Sequence, residues 1–187
     1  MTADQAACTA AVLEETPDAA VVSNVGTASY HLTALGDRAR NFPLTGAMGV
    51  TTPFALGIAL SVDDQVTALD GDGSMLMSLG ALSTVARMDP SNLVIVVMDN
   101  AAYETTGGQG TLSTEVDFAG AARECGLPAW SADSVAGFRE AYADAVGTDE
   151  ATLVVCEIEA GKPESYPPLD YGHAHVKHRF RGEFVGD

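Results

Sequence analysis

Residues 66–74 read VTALDGDGS and set the architecture of the chain. The run before Gly71 has the apolar character of a buried parallel strand, and Gly71-Asp72-Gly73-Ser74 joins it to a helix predicted over 75–88. Glycines let backbone N–H groups approach an anion, and a helix N-terminus attracts negative charge. Asp72 adds a carboxylate for a divalent cation. The segment therefore predicts a phosphate site, although the same residues also fit a tight turn.

Apolar periodicity alternates between strand-like and helix-like registers along the chain, which is typical of an α/β fold. We expect a three-layer α/β/α domain with a mostly parallel six-stranded sheet. The predicted strands cover residues 20–23, 42–45, 66–70, 93–99, 129–131 and 153–157. The predicted helices cover residues 4–15, 28–35, 50–61, 75–88, 116–124 and 134–146.

Two segments lack regular periodicity. Residues 100–114 form a loop rich in glycine and threonine, of a length that usually serves a function. Residues 161–187 carry prolines, histidines and charges. We expect them to form an irregular tail that packs on the domain, residues 1–160, or on a partner subunit.

A second polar pair follows the next strong strand. Asp99-Asn100 ends the predicted strand 93–99, and Asn100 lies 28 positions after Asp72. Because the carboxyl ends of parallel strands share one edge of a sheet, Asp72 and Asn100 are expected to lie close together. Mg²⁺ prefers oxygen ligands and typically uses one or two carboxylates together with substrate phosphates. The sequence therefore predicts a magnesium site at this edge.

The chain has 187 residues and a formal net charge of −17, from 9 Lys+Arg and 26 Asp+Glu. This length suits one domain. We expect no nucleic-acid partner, because binding a polyanion needs a basic surface. An acidic surface with little lysine indicates adaptation to high salt, where a short Debye length screens self-repulsion. An acidic protein of ordinary salt tolerance is the alternative.

The three cysteines, Cys8, Cys125 and Cys156, are widely spaced and form no CxxC pair. They are predicted to be small, buried, reduced side chains. The N-terminus has no basic segment followed by an apolar core, and no stretch reaches the ~18 apolar residues that span a bilayer. We expect a cytoplasmic protein with no membrane partner.

The two motifs together resemble the fingerprint of thiamine diphosphate enzymes, a GDG followed by a strand that ends in Asn. Upstream, Thr45-Gly46-Ala47-Met48-Gly49 resembles the Gly-Ser-Met-Gly segment of the thiamine-dependent decarboxylases, with Ala47 in place of the serine. The similarity runs over residues 21–111, and it is to the β subunits of sulfopyruvate decarboxylase and the related part of phosphonopyruvate decarboxylase. It implies the thiamine diphosphate-binding fold.

The resemblance also implies roles for individual residues. Mg²⁺ is expected to bind the side chains of Asp72 and Asn100 and the backbone oxygen of Ala102. The diphosphate is expected on Gly73 and Ser74. The cofactor-binding residues so implied are Gly26, Thr27, Gly46, Met48, Gly71, Asp72, Gly73, Ser74, Asn100, Ala102 and Tyr103.

Two of these residues are implied to assist catalysis. The carbonyl of Gly46 is expected to accept a hydrogen bond from the 4′-amino group of the cofactor. Met48 is expected to lie under the bend that brings this amino group near C2. Ordinary core packing is the alternative for Met48.

The family implies a partner as well. Its active sites lie between two domains, and the second domain supplies a glutamate to the pyrimidine. All motifs here belong to the diphosphate half, so the resemblance implies an α subunit with the pyrimidine domain, in a hetero-oligomer with at least two copies of each chain. The implied reaction is decarboxylation of a small anionic 2-oxo acid, sulfopyruvate to sulfoacetaldehyde as in coenzyme M biosynthesis, with phosphonopyruvate as the alternative. A non-catalytic subunit that stabilises its partner is a third hypothesis.

Four further residues are candidates near the site. Arg38 and Arg40 precede Gly46 and are candidates for binding the substrate anion, with surface charge as the alternative. His31 is a candidate for protonation in the active site. Glu104 stands where the family tends to carry glycine, and is either a solvated loop charge or a group that disfavours anionic substrates. The tail histidines His173, His175 and His178 fit no common zinc spacing.

Overall fold

The computed structural model describes residues 2–161 and 172–185. Its centre is a parallel six-stranded sheet in the order β2-β1-β3-β4-β8-β7, which confirms the predicted α/β class. The strands of this sheet are β1 (Ala20–Ser23), β2 (Asn41–Pro43), β3 (Val66–Gly71), β4 (Leu93–Asp99), β7 (Ala129–Ala132) and β8 (Thr152–Glu157). A separate antiparallel hairpin consists of β5 (Ala102–Tyr103) and β6 (Gln109–Gly110).

Helices cover both faces of the sheet, as the three-layer prediction requires. Their bounds are α1 (Gln5–Glu15), α2 (Thr27–Ala34), α3 (Thr51–Ala59), α4 (Asp72–Met77), α5 (Ala81–Met88), α6 (Phe118–Cys125), α7 (Val135–Val146) and α8 (His173–Val185). Apolar side chains of α1, α2 and α7 form one core with the sheet, and those of α3, α5, α6 and α8 form the other. In β4, Val94 and Val96 belong to the first core, and Ile95 and Val97 to the second. A strand buried on both faces explains the uninterrupted apolar run in its sequence.

The sequence predicted one continuous helix over 75–88, and this prediction was wrong. The chain instead forms α4 and α5, because Ser78 leaves helical geometry at φ −131° and Gly80 precedes the first residue of α5. The loop over 100–114 also contains short regular structure, namely the β5–β6 hairpin and two 3₁₀ turns. Because α4 begins directly after β3, Asp72 lies at the carboxyl end of that strand.

The tail was predicted to be irregular, but residues 173–185 form α8. Its apolar residues Val176, Phe180 and Phe184 recur every four positions and so share one face of the helix. Phe180 stacks edge-on against Phe42 of β2 with ring centroids 5.3 Å apart, and α8 contributes Phe180 to the second core. Residues 162–171 and 186–187 of the predicted tail lie outside the described residues. The structure therefore attaches the described end of the tail to the edge of the sheet.

Cys8 and Cys156 are buried as predicted, and their sulfur atoms, 3.8 Å apart, share a hydrogen bond rather than a disulfide. Cys125 is exposed in the last turn of α6, so the prediction of burial was wrong there. None of the described helices is long and apolar enough to cross a membrane.

Candidate functional site

The carboxyl ends of β1, β3 and β4 meet around one pocket. Such edges are where parallel α/β sheets bind ligands, because the turns after neighbouring strands diverge there. The pocket is lined from five segments of the chain: Gln5; Asn24, Val25, Gly26, Thr27 and Ala28; Met48; Gly71, Asp72, Gly73 and Ser74; and Met98, Asn100, Ala102, Tyr103, Glu104, Thr105 and Thr106. The structure thus brings together most of the residues that the sequence predicted.

A buried acidic residue that sequence reasoning missed, Asp70, helps to hold the turn after β3. Asp70 is fully buried, and its carboxylate accepts hydrogen bonds from the hydroxyl of Thr52 and the N–H of Gly71, each at 3.0 Å. Burial raises the pKa of Asp70, and these hydrogen bonds oppose the rise. Nearby, the N–H of Gly49 donates to Ser74 Oγ at 2.9 Å. The only signal in the sequence was an acid at the end of an apolar strand.

A side chain at position 73 would require Tyr103 or the turn to move. A Cβ at this position would lie 2.3 Å from Cε1 of Tyr103, whose ring covers the glycine. This contact is far closer than van der Waals distance. It explains both why the second glycine of the motif is needed and why Tyr103, predicted from the motif alone, belongs to the same site.

Asp72 lies in the pocket with only 3% of its surface exposed. Its carboxylate accepts a hydrogen bond from the hydroxyl of Thr111, which in turn lies 3.0 Å from the hydroxyl of Ser113. Ser113 donates to Asp99 Oδ1 at 2.8 Å. Burial raises the pKa of Asp72; the bond from Thr111 opposes this, and the nearby charge of Asp99 adds to it. A cation at this carboxylate would relieve both unfavourable effects.

A tight turn positions the residues after β4. Ala101 adopts a left-handed conformation with φ +55°, which is strained for a residue with a Cβ. Three hydrogen bonds hold the turn: Ala101 N–H to Asp99 Oδ1 at 3.1 Å, Ala102 N–H to Asn100 Oδ1 at 3.0 Å, and Thr111 N–H to the Ala101 carbonyl at 2.9 Å. Backbone strain held in this way is common at functional sites.

Glu104 fixes the side chain of Asn100. The Asn100 Nδ2 group donates to Glu104 Oε2 at 3.0 Å, so the amide keeps its nitrogen on the side of Glu104. Glu104 is half-buried and lines the pocket, which places the unusual carboxylate predicted from the sequence next to the candidate metal ligands.

The donor set fits a hard divalent cation. Asp72 provides a carboxylate, Asn100 an amide oxygen and Ala102 a backbone carbonyl, all at the same pocket. Residues 2–161 and 172–185 contain no cluster of three His, Cys, Asp or Glu side chains that could bind a metal. A cation here would therefore rely on one carboxylate, neutral oxygens and the phosphates of a ligand.

The N-terminus of α2 lines another side of the pocket. Gly26 precedes this helix with φ +94°, and no side chain caps the helix, so its first N–H groups are not satisfied by a cap. A Cβ at Gly26 would approach Thr105 to 3.0 Å. Gly26 and Thr27 thus form a cradle beside the GDGS turn, and this cradle suits a phosphate.

The segment around Met48 is only partly in the pocket. Met48 lines it, whereas Gly46 lies in a neighbouring depression with Thr45 and His173, whose Nδ1 is 3.1 Å from Thr45 Oγ1. The roles predicted for Gly46 and Met48 stay predictions.

Besides Gly46, three candidates from the sequence lie outside the pocket lining. Arg38 and Arg40 precede β2 and lie at the opposite, amino edge of the sheet. Arg38 donates to the carbonyls of Pro17 and Ala19, and Arg40 pairs with Asp64 at 2.6 Å. The structure therefore does not bring these arginines to the site, because residues before a parallel strand lie at its amino end.

His31 is buried in the second turn of α2, and its Nε2 atom has no partner among the described residues. Burial lowers its pKa, an effect that Asp4 and the backbone of Gly161 partly oppose. His31 does not line the pocket, so its predicted role in protonation stays a prediction.

Residues 22–156 match the family described as thiamine pyrophosphate enzyme, C-terminal TPP binding domain. The chain is 35% identical over 173 residues to the sulfopyruvate decarboxylase subunit beta of Methanococcus maripaludis, a match that covers 90% of this chain and 91% of that protein. It is 43% identical over 172 residues to the phosphonopyruvate decarboxylase of Streptomyces viridochromogenes, covering 91% of this chain and 43% of the relative. The chain thus spans less than half of the second relative.

A solved structure shares the fold. The thiamine diphosphate-dependent 4-hydroxybenzoylformate decarboxylase of Rhodococcus jostii RHA1 aligns with a TM-score of 0.73 and 22% identity, over 86% of this chain and 33% of that one. The architecture predicted from the sequence is therefore also the architecture of that decarboxylase domain.

Proposed function

The chain belongs to the thiamine pyrophosphate enzymes, through their C-terminal TPP-binding domain, and we propose that it is the β subunit of a two-chain thiamine diphosphate-dependent 2-oxo-acid decarboxylase. One observation carries the proposal. Asp72 and Asn100, which come from two neighbouring strand ends, line the same pocket as the GDGS turn and the uncapped start of α2. That arrangement would suit both a divalent cation and a phosphate.

In this proposal the chain holds the diphosphate end of the cofactor. Asp72, Asn100 and the carbonyl of Ala102 would bind Mg²⁺, which would supply positive charge beside the phosphates. The N–H groups of Gly73 and Ser74 would contact the diphosphate, with Gly26 and Thr27 on the other side. The closed network around Asp70 supports this, because it holds the turn rigid before any ligand binds.

Bound thiamine diphosphate supplies a carbon nucleophile and an electron sink for loss of CO₂ from a 2-oxo acid. The chain's own part is to bind and orient. Met48, which lines the pocket, would contact the cofactor. The carbonyl of Gly46, two residues earlier, would accept a hydrogen bond from the amino group of the cofactor. The ring of Tyr103 shields Gly73 from water.

A second chain completes the site in this proposal. The phosphonopyruvate decarboxylase relative is more than twice as long as the stretch it shares with this chain, whereas the sulfopyruvate decarboxylase relative is itself called a subunit. We take the missing part to be an α subunit with the pyrimidine domain and its glutamate, in a hetero-oligomer with at least two copies of each chain. The protein would act in the cytoplasm. Its net charge of −17 would make it most stable at high salt.

Sulfopyruvate is the first substrate proposed, because the chain matches a sulfopyruvate decarboxylase subunit beta over nearly its full length. Its product would be sulfoacetaldehyde, as needed for coenzyme M. Phosphonopyruvate is the second, favoured by the higher identity of 43% to a phosphonopyruvate decarboxylase. Arg38 and Arg40 bind other residues at the amino edge, away from the pocket. The group that recognises the sulfonate or phosphonate would therefore come from the partner.

The test is a decarboxylation assay on the full chain purified together with its α subunit at molar KCl. Release of CO₂ and aldehyde from sulfopyruvate, in a reaction that needs thiamine diphosphate and Mg²⁺, is the expected result. Asp72→Ala should abolish turnover, whereas Asp144→Ala, which removes an exposed carboxylate of α7, should leave it unchanged. A complex inactive on both 2-oxo acids would favour the non-catalytic alternative.

A further inference from the structure

Gln5 brings a buried amide to the pocket from a helix that carries no part of the recognised motifs. It is the first residue of α1, it is 5% exposed, and it lines the pocket together with Asn24 and the start of α2. Its Oε1 atom has no hydrogen-bond partner within residues 2–161 and 172–185. A buried amide oxygen without a partner is unfavourable, and such groups usually find a ligand or an ordered water.

The fold does not need this side chain for its own purposes. Asp4 caps α1 by accepting a hydrogen bond from Ala7 N–H at 2.7 Å. The backbone carbonyl of Gln5, not its side chain, accepts the hydroxyl of Thr9 at 2.8 Å. The helix start is therefore held without the amide, which is left to face the pocket.

The surroundings of Gln5 call for a ligand with acceptor oxygens. Gly26 leads into α2, a helix of 8 residues that no side chain of the described residues caps, and Gly26, Thr27 and Ala28 line the same pocket as Gln5. Rotation of an amide by half a turn exchanges Oε1 with Nε2, because the two ends have nearly the same shape. The amide can then donate into the pocket.

We propose that Gln5 donates a hydrogen bond from Nε2 to a phosphate oxygen of thiamine diphosphate, as a third contact besides the GDGS turn and the Gly26–Thr27 cradle. The inference rests on the proposed function, since it takes the pocket to hold that cofactor. It also accounts for the residue type. In a chain with 26 Asp and Glu residues, a neutral amide at this position avoids the repulsion that a carboxylate of the same length would exert on phosphate.

The test compares two substitutions of Gln5 by titration calorimetry, on the full chain purified with its α subunit in molar KCl and Mg²⁺. Gln5→Met keeps the length and removes the donor, and it should weaken thiamine diphosphate binding about tenfold, the size of one hydrogen bond to a charged group. Gln5→Glu adds a like charge and should weaken binding further. Inorganic pyrophosphate, titrated in parallel, should lose affinity by the same factors.

Gln65 offers matched controls. It lies at the amino edge of the sheet, where its Nε2 donates to the carbonyl of Val66 at 3.2 Å. Gln65→Met and Gln65→Glu make the same changes in shape and charge away from the pocket, and both should bind thiamine diphosphate like the unaltered protein.

Each outcome decides the matter. Loss of affinity for both ligands in the Gln5 variants alone supports the proposal. Gln5 variants that bind like the unaltered protein overturn it, and so does a loss for thiamine diphosphate that pyrophosphate does not share. If the unaltered complex binds neither ligand, the proposed function itself fails and the inference falls with it, a result distinguishable because no variant is involved.

Discussion

The two edges of the parallel sheet treat polar groups in opposite ways. At the amino edge, Asn92 donates from Nδ2 to the carbonyls of Ala59, Val62 and Asp64 at 3.2, 2.8 and 2.9 Å, and Arg40 pairs with Asp64. Asn92 and Arg40 thus bind other parts of the chain and close its loops, although Arg38 Nη1 and Asn41 Oδ1 at the same edge have no partner among the described residues. At the carboxyl edge, Asp72 is buried with a raised pKa, and Gln5 Oε1 has no partner within the part of the chain that the structure describes.

That difference separates stability from function. Hydrogen bonds and ion pairs made within the chain, such as those of Asn92 and Arg40 at the amino edge, contribute to the free energy of unfolding. The carboxyl edge buries acidic side chains and the amide of Gln5, and it holds Ala101 in a left-handed conformation. These features lower its stability, and a bound ligand would pair with the buried polar groups. Substitutions at the amino edge should therefore change stability alone, and those at the carboxyl edge should change ligand binding.

The largest effect is expected from Gly73→Ala. The added Cβ would lie 2.3 Å from Tyr103 Cε1, so the ring or the turn must move. We expect thiamine diphosphate affinity to fall by at least about 100-fold, because displacements of about 1 Å have effects of that size. Stability should fall by about 1–3 kcal/mol. Calorimetric titration and urea denaturation measure the two quantities.

The double variant Gly73→Ala with Tyr103→Ala sharpens this test. Removing the ring should restore part of the lost stability but not the affinity, because Tyr103 is itself one of the residues predicted to bind the cofactor. A Gly73→Ala protein that binds the cofactor normally would show that the turn is not the phosphate site.

Two asparagines at opposite edges provide the most direct contrast. Asn92→Ala leaves three carbonyls without their donor, and it should lower the free energy of unfolding by about 2–3 kcal/mol with cofactor affinity unchanged. Asn100→Ala removes a candidate metal ligand, and it should lower cofactor affinity at least about tenfold, with a change in stability below about 1 kcal/mol.

The same two measurements, made on both variants, check the contrast. If Asn92→Ala weakens the cofactor as much as Asn100→Ala does, the division between the edges is wrong.

A smaller effect is expected at Glu104. Replacing it with Leu frees the Asn100 amide, and it should weaken Mg²⁺ binding about tenfold, the lower end of the effect of losing a group that orients a metal ligand. Glu104→Gln keeps an acceptor for Asn100 Nδ2 and should retain most of the affinity. Mn²⁺ can replace Mg²⁺ for detection by electron paramagnetic resonance. Equal Mn²⁺ affinity in the Leu variant and the unaltered protein would leave Glu104 as a solvated loop charge.

The smallest effect is expected at Ala101, whose φ of +55° glycine tolerates better. Ala101→Gly should raise the free energy of unfolding by less than about 1 kcal/mol, because relief of strain is partly offset by the greater freedom of glycine in the unfolded chain. Ala143→Gly, inside α7, should instead lower it by about 1 kcal/mol. A decrease at both positions in urea denaturation would show that the turn is not strained.

The fold could be predicted largely because its central strands, β1, β3, β4 and β8, are buried on both faces. The apolar runs at 20–23 and 93–99 have the same bounds in the structure. Prediction failed where the signal was weak or interrupted. The break between α4 and α5 is made by Ser78–Gly80, a change too short to disturb the apolar pattern. In α8, the apolar residues Val176, Phe180 and Phe184 are separated by charged and polar neighbours.

The site was predictable where motif and topology agree. Asp72 and Asn100 each follow a parallel strand, so they were expected at one edge, and they line one pocket. Arg38 and Arg40 were chosen for their proximity in sequence to Gly46, although residues that precede a strand lie at the other edge. Gln5 and Asp70 belong to no motif. Their burial, which only the three-dimensional structure reveals, is what distinguishes them.

The most direct test of the central claim is titration of thiamine diphosphate with Mg²⁺ at molar KCl, into the chain alone and into the chain mixed with its α subunit. Tight binding in the mixture that is absent from the chain alone, abolished by Asp72→Ala and retained by Asp144→Ala, is the predicted result. No binding by either sample, or binding that Asp72→Ala leaves intact, would contradict the assignment of the carboxyl edge as half of a shared cofactor site.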